Sequence, residues 1–256
     1  MNRTSIFAIF AACTMTCCSC SPGNEQTAAP KPDGFKEITF DAPDHHKVYA
    51  DFYPSLTLNS EKVILMFHQA GSNAGEYETI EPIMANMGFN CIAVDQRSGG
   101  DMWGRSNRTA AQSGKGDYFG AYNDLKGALE YAESKSYTTI VVWGSSYSAS
   151  LVLMLADEFP ELKGVIAFSP GEYFDDKGIA KTWASRVSEP ILFACTPDEL
   201  KDGRQQLYDV IPSDSKNLVV FPGGVHGSST LLQEKSSAAS KYLEKVQTFL
   251  TGLKSG

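Results

Sequence analysis

The sequence predicts an α/β protein with a mostly parallel, twisted sheet, antiparallel N-terminal edge strands and helices on both faces. From residue 62 onward, continuous apolar runs alternate with stretches of helical spacing, as in a parallel sheet whose strands are buried on both faces. Earlier, the runs 35–40 and 47–53 alternate in polarity and flank a turn-rich segment, which indicates an antiparallel hairpin. With 256 residues, 42% of them hydrophobic, the chain can bury one large core.

The elements after the hairpin follow from apolar runs and helical periodicity. Gly88 is a suitable C-cap for the first helix, because glycine adopts the left-handed conformation that often ends helices. Only about twenty residues, 170–190, separate two later strands, so any lid is small or absent. The expected strands are 63–67, 90–94, 140–143, 164–168, 191–195 and 218–221, and the expected helices are 77–87, 118–133, 149–159, 200–210 and 231–250.

Residues 1–19 have the pattern of an export signal, since an early arginine precedes a short apolar stretch that is too short to span a membrane. A small residue, a cysteine and a polar tail then resemble a bacterial lipobox. That resemblance implies that Cys20 is lipidated and anchors the protein to a membrane of the cell envelope; Cys17 and Cys18 are the other candidates. The alternative is an ordinary cleaved signal that leaves a soluble periplasmic or secreted protein.

Residues 20–34 are polar and rich in proline and glycine, so we expect a flexible tether there and the folded domain at 35–256. Two cysteines lie inside that domain, Cys91 and Cys195. Both end or interrupt apolar strand-like runs, which is typical of small core residues rather than of a disulfide framework.

The composition argues against several classes of partner. A formal net charge of -8 disfavours nucleic acid, whose phosphates need a basic surface. No cofactor is expected. His45 and His46 are adjacent in a turn, and His68, Asp95 and His226 lack the spacing of a metal site, so no metal is expected either.

A strand, a tight turn and a helix meet between residues 140 and 159. The β-branched run before Gly144 stops at once, and a helical stretch begins beyond Ser148, which leaves Ser146 at the tip of the turn. Such a nucleophile elbow needs small residues two positions before and after the serine, because the two backbones nearly touch. Gly144 meets that need, and Ser148 stands where glycine is usual.

A serine hydroxyl needs a neighbouring base to become a nucleophile at neutral pH, and histidine is the residue suited to that work. The chain has four histidines: two lie in an early turn, and His68 begins a loop after a strand. His226 therefore remains as the expected base. It follows the last strand, so it should lie at the carboxyl edge of the sheet with Ser146.

Five segments together resemble the α/β-hydrolases of the dienelactone-hydrolase-like or serine-esterase type. The resemblance runs from about residue 35 to the C-terminus and implies the α/β-hydrolase fold with a Ser-His-Asp triad in the chain order Ser, Asp, His. It places the acid at Asp198, with Glu199 and Glu172 as competing carboxylates. The segments are LMFHQAGSN, AVDQRSGG, VVWGSSYSA, FACTPDEL and PGGVHGSS.

The same resemblance implies an oxyanion hole of two backbone amides. One is that of Tyr147, at the start of the helix after Ser146, and the other belongs to Gln69 or Ala70, because Gln69 occupies the family's glycine position. The AVDQRSGG stretch has a structural role in the family. Aromatic residues at 100–103 and 171–174 lie where they could either pack or contact a substrate.

These patterns favour a serine hydrolase that cleaves a modest-sized carboxylic ester outside the cytoplasm. Peptidase, thioesterase or sugar-deacetylase chemistry would use the same groups. The alternative of another class is a catalytically silent binding or scaffold lipoprotein that has kept the fold. Gln69 and Ser148 point in that direction, whereas Ser146, Asp198 and His226 point to catalysis.

Overall fold

A mostly parallel sheet runs through the described part of the chain. The computed structural model describes Met1 and residues 35–253. The strands of that part are β1 (Lys36–Asp41), β2 (Lys47–Tyr53), β3 (Lys62–Phe67), β4 (Asn90–Asp95), β5 (Thr139–Ser145), β6 (Gly164–Phe168), β7 (Ile191–Cys195) and β8 (Lys216–Val220). Their order is β1-β2-β4-β3-β5-β6-β7-β8, and only β1 and β2 are antiparallel to their neighbours, which confirms the predicted fold class.

Helices cover both faces of this sheet. They are α1 (Glu81–Asn86), α2 (Arg108–Gln112), α3 (Tyr122–Ser134), α4 (Tyr147–Glu158), α5 (Ile179–Ala184), α6 (Pro197–Glu199), α7 (Gln205–Asp209) and α8 (Ala239–Gly252). One core packs α3, α4, α5 and α7 against the sheet, and a second core packs α1 and α8 against the other face. Successive residues of β3 enter the two cores in turn, as the two-residue period of a strand requires.

The strand order reverses at β3, which has β4 on one side and β5 on the other. In open parallel sheets the loops that leave the strands at such a point diverge and form a crevice at the carboxyl edge. Phe67 at the end of β3 is level with Gly144 near the end of β5, so the loops after these two strands begin side by side. The fold therefore brings the residues after 67 next to Ser146.

The strand predictions are confirmed, with shifts of one or two residues, whereas several helices differ from expectation. The stretch 77–87 is divided into a 3-10 helix, Ala74–Tyr77, and the shorter α1. The stretch 231–250 likewise begins with a 3-10 helix, Ser228–Leu231, and α8 begins only at Ala239. Helices α2 and α5 were not predicted; each has only five or six residues, too few for a clear periodic signal.

The export signal 1–19, the tether 20–34 and the lipid site at Cys20, with Cys17 and Cys18, lie outside the described residues and stay predictions. Cys91 and Cys195 are buried and unpaired, in agreement with the expected core role. Within the described range, no helix has both the length and the apolar character needed to cross a bilayer.

Candidate active site

Ser146 lies in a strained turn between β5 and α4. Its backbone has φ 61° and ψ −125°, a conformation that residues other than glycine rarely adopt. Its amide donates to the Phe168 carbonyl oxygen on β6. The turn brings the helix so close that a Cβ on Gly144 would lie 2.3 Å from the Ser148 carbonyl oxygen. Only glycine fits there, and the expected elbow is present.

Ser148 replaces the usual second glycine without crowding the turn, because its side chain has polar partners. The buried hydroxyl donates to the His68 carbonyl oxygen at 2.6 Å, and the Gln96 side-chain amide donates to the hydroxyl at 3.0 Å. These bonds connect α4 to the loops after β3 and β4. The serine therefore stabilises the elbow's surroundings.

The His226 imidazole contacts Ser146 on one side and a carboxylate on the other. Its Nε2 lies 2.8 Å from Ser146 Oγ, and its Nδ1 lies 2.5 Å from Glu199 Oε1. The chain supplies the three groups from the ends of β5, β7 and β8, which lie at the same edge of the sheet. This linear arrangement has the geometry of a nucleophile, a base and an orienting acid.

The structure does not place Asp198, the expected acid, beside the imidazole. Its side chain is 97% exposed, and its ion-pair partner within residues 35–253 is Lys201, at 3.6 Å. Glu172, the other competitor, accepts hydrogen bonds from the amides of Ala180 and Lys181 at the start of α5. Neither carboxylate contacts the imidazole, whereas Glu199 does.

A capping box explains why Glu199 points inward. Thr196 caps α6 by accepting from the Glu199 amide at 3.2 Å, and the Glu199 carboxylate accepts from the Thr196 amide at 2.9 Å. This reciprocal pair of hydrogen bonds holds the Glu199 side chain over the end of β7. The side chain of Asp198, the residue before it, points to solvent. The T-x-x-E pattern at 196–199 is visible in the sequence and could have selected Glu199.

Hydrogen bonds keep Glu199 ionised although its side chain is only 14% exposed. Burial alone would raise the pKa of the carboxyl, but the bonds from His226, the Thr196 amide and Ser169 Oγ outweigh burial and lower that pKa to about 2. Ser169 also accepts from the Gly227 amide at 2.9 Å, so it joins the acid to the loop of the imidazole. Sequence analysis missed this serine.

The geometry of the loop after β3 distinguishes the two candidates for the second oxyanion amide, Gln69 and Ala70. The Gln69 amide donates to the Glu76 carboxylate at 2.9 Å and is therefore occupied. The Ala70 amide has no hydrogen-bond partner among the described residues. Tyr147 is the first residue of α4, where a helix provides no acceptor for its amide. The two available amides are those of Tyr147 and Ala70.

Glu76 is a fully buried carboxyl beneath these loops. Besides the Gln69 amide it accepts from Ser145 Oγ at 2.6 Å, and Ser145 Oγ accepts from the Ser228 amide at 2.8 Å. Burial raises the pKa of Glu76, and the bonds from Ser145 and Gln69 oppose that shift. One carboxyl thus joins the oxyanion loop, the strand end before the nucleophile and the segment after His226. Sequence analysis did not single out Glu76.

His68 and Asp95, two candidates for metal ligands, instead form hydrogen bonds and an ion pair with neighbouring residues. His68 donates from Nδ1 to the Gln69 carbonyl oxygen and accepts at Nε2 from the Gln96 amide, and burial lowers its pKa. Asp95 accepts from Arg108 Nε at 2.6 Å. No group of three or more metal-ligating side chains occurs within residues 35–253.

Arg97, in the AVDQRSGG stretch, has the structural role that the resemblance implies. Its guanidinium bonds the Asp124 carboxylate on α3 and, at 2.5 Å, the Asp44 carboxylate in the β1–β2 turn. These contacts join the hairpin, the loop after β4 and α3. They do not reach Ser146.

Aromatic side chains border one side of the site. The Tyr173 ring meets the His226 ring edge-on at 6.4 Å, and the Tyr173 hydroxyl donates to the Ser169 carbonyl oxygen. Tyr118 stacks on Tyr147 with ring centroids 4.5 Å apart. A groove of about 940 Å³ lies between β8 and α8, but none of the site residues lines it. The aromatic side chains therefore contact the residues around Ser146, and the groove at β8 and α8 does not.

Comparison with solved structures supports the assignment of the fold. An esterase of Pyrococcus furiosus is similar with a TM-score of 0.64 and 16% identity, over 86% of this chain and 92% of that chain. A dienelactone hydrolase from Anabaena variabilis gives 0.67 and 14%, over 86% and 98%. A monoacylglycerol lipase of Paleococcus ferrophilus gives 0.61 and 14%, over 79% and 98%. No family model matches the sequence. The chain has the α/β-hydrolase fold.

The pKa of Glu199 predicts how stability depends on pH. Since the folded-state pKa of about 2 lies below the usual value of 4.5, the ionised carboxylate stabilises the fold above pH 4.5, and this contribution is lost as the pH falls toward 2. At neutral pH it is about 3 kcal/mol. In urea unfolding, the free energy of unfolding of Glu199→Gln should therefore lie well below that of wild type at pH 7. The difference between the two free energies should narrow by pH 3.

Asp198→Asn is the matched control, because it makes the same chemical change on a side chain that is 97% exposed. Its unfolding free energy should follow that of wild type at every pH. A Glu199→Gln gap that stays constant from pH 7 to pH 3 would contradict the assignment of a depressed pKa to Glu199.

Proposed function

We propose that the protein is a serine hydrolase that cleaves a carboxylic ester of modest size through an acyl-enzyme on Ser146. The observation that supports this most is the continuous chain of contacts from Ser146 Oγ to His226 Nε2, at 2.8 Å, and from His226 Nδ1 to Glu199, at 2.5 Å. The esterases, dienelactone hydrolase and lipase with similar folds are consistent with ester chemistry.

Each step of the proposed reaction uses a described group. His226 Nε2 takes the hydroxyl proton as Ser146 Oγ bonds to the ester carbonyl carbon, and Glu199 stabilises the imidazolium. The carbonyl oxygen, now negative, accepts from the amides of Tyr147 and Ala70. His226 then gives the proton to the alcohol oxygen as the carbon–oxygen bond breaks. Water, deprotonated by the same imidazole, then bonds to the acyl carbon. The bond from that carbon to Ser146 Oγ breaks, His226 returns the proton to the serine oxygen, and the acid leaves.

One feature supports catalysis rather than a silent scaffold, and a second feature supports a small substrate rather than a long lipid. Ser148 and Gln69, the departures from the family pattern, each have hydrogen-bond partners and leave the Tyr147 and Ala70 amides available. Between β6 and β7 the described structure has only the six-residue helix α5, which is no large lid.

Neighbouring carboxylates provide the test of this mechanism. Ser146→Ala and Glu199→Gln should each lower kcat on 4-nitrophenyl acetate, the first by several orders of magnitude and the second by about 10³-fold or more, because the amide favours the wrong imidazole tautomer. Asp198→Asn should stay within about threefold of wild type. Loss of activity in Asp198→Asn with an active Glu199→Gln would overturn the assignment of the acid.

Glu76 has a positioning role in this proposal. By accepting the Gln69 amide it fixes the loop after β3 so that the next amide, of Ala70, faces the site. Through Ser145 it also holds the Ser228 amide, two residues beyond His226. An oxyanion donor acts on the transition state more than on the bound ester, so misplacing it lowers kcat rather than raising KM.

Glu76→Ala should therefore lower kcat on 4-nitrophenyl acetate by about 10- to 100-fold with a KM within about threefold of wild type. Glu76→Gln keeps an acceptor for the Gln69 amide and should recover most of the activity. Glu189→Ala removes another buried carboxyl, which contacts Ser188 and none of the site residues, and should leave kcat unchanged. Equal losses in the Glu76 and Glu189 variants would indicate a merely structural role.

A further inference from the structure

A groove of about 470 Å³ adjoins the candidate nucleophile, a volume suited to part of a small molecule. Its walls include the side chains of Tyr118, Phe119, Tyr173 and Phe174. The first two of these are 40% and 52% exposed, unusually high for large aromatic residues. The groove is therefore an open aromatic surface.

Two contacts connect this aromatic groove to the proposed reaction. Tyr118 stacks on Tyr147, whose amide follows the nucleophile, and Tyr173 meets the His226 ring edge-on. In the proposed reaction His226 gives its proton to the departing alcohol oxygen. The part of the ester nearest His226, and so nearest the groove, is the alcohol portion.

Three carboxylates line the same groove, those of Asp117, Asp175 and Asp176. All three residues are exposed, and none takes part in an ion pair within residues 35–253. The neighbouring Lys177 ammonium is bound instead to the carbonyl oxygens of Glu172 and Phe174. The three carboxylates therefore form no ion pair within residues 35–253, and Lys177 adds one positive charge beside them.

A guanidinium also lies at the aromatic wall: Arg204 donates to the Tyr173 hydroxyl at 3.2 Å, and Asp202 balances its charge. Arg204 lies 5.9 Å from the centroid of the Tyr173 ring and is paired with Asp202, outside the groove lining. The whole chain has a net charge of -8, which adds to the attraction of cations and the repulsion of anions.

We propose that this groove binds an ammonium group on the alcohol portion of the ester, so that the substrate class is a small cationic ester; this inference rests on the proposed serine-hydrolase function. Aromatic faces attract a cation through their quadrupole, and they bind the apolar methyl or methylene groups around the charge at the same time. Nearby carboxylates add Coulomb attraction that salt weakens. An anionic alcohol group is repelled by the same residues.

Two thioesters of the same shape test the charge preference. Acetylthiocholine carries a trimethylammonium group, and 3,3-dimethylbutyl thioacetate has a neutral carbon in place of the nitrogen. We expect kcat/KM to be about tenfold higher for the cationic ester at low salt, and this preference to shrink at 0.5 M NaCl. Equal rates, or a faster neutral ester, would overturn the inference.

Variants then assign the preference to the groove. Asp175→Asn combined with Asp176→Asn should lower kcat/KM for the cationic ester and so reduce the cationic preference to about threefold or less. The matched control is Asp209→Asn combined with Asp214→Asn, two exposed carboxylates outside the groove lining, which should keep the preference. An unchanged preference in the groove variant would place the cation elsewhere and overturn the inference.

Labelling with a fluorophosphonate separates this inference from the proposed function. Choline should slow the labelling of Ser146 more than the neutral 3,3-dimethylbutan-1-ol does, whether or not either thioester is hydrolysed. A labelled enzyme that shows no choline effect, or that prefers an acetylated sugar, refutes the cationic substrate alone. An enzyme that neither labels nor cleaves any ester refutes the proposed function, and the inference with it.

Discussion

The close approach of β5 to α4 at Gly144 is the constraint on which the rest of the site depends. A Cβ at that position would overlap the Ser148 carbonyl, so the absence of a side chain allows the chain to reverse within three residues. The reversal forces Ser146 to a φ of 61° and raises its hydroxyl above the sheet edge. It also starts α4 at Tyr147 and leaves that residue's amide without a helical acceptor. One steric condition thus positions both the proposed nucleophile and a proposed oxyanion donor.

Two glutamates, Glu76 and Glu199, hold the loops around that turn in different ways. Glu199 is nearly buried and keeps its charge, because the imidazole, the Thr196 amide and Ser169 bond to it; its pKa is about 2. Glu76 is fully buried, and burial raises its pKa. Glu199 orients the His226 ring, and Glu76 connects the loop after β3 to the end of β5. A buried carboxyl without such bonds would cost several kcal/mol, so both networks must be complete for the site to form.

The fold and the tight turn at Ser146 could be predicted from the sequence because they depend on local signals: apolar runs of strand length and a serine between a strand and a helix. The choice between Asp198 and Glu199 also had a local signal, the T-x-x-E capping box at residues 196–199. By contrast, the choice between the Gln69 and Ala70 amides depends on Glu76, seven residues further along, and the partners of Ser169 lie on β7 and β8 loops. Such contacts depend on the packing of several loops and have no pattern in one segment.

The central claim is that His226 and Glu199 activate the hydroxyl of Ser146. The most direct measurement is peptide mass spectrometry of the protein after reaction with a fluorophosphonate, which bonds covalently to an activated serine oxygen. We expect one phosphonyl adduct, on the peptide that contains Ser146, and its loss when His226 is replaced by alanine. An unlabelled protein, or an adduct on another residue with Ser146 unmodified, would contradict the account.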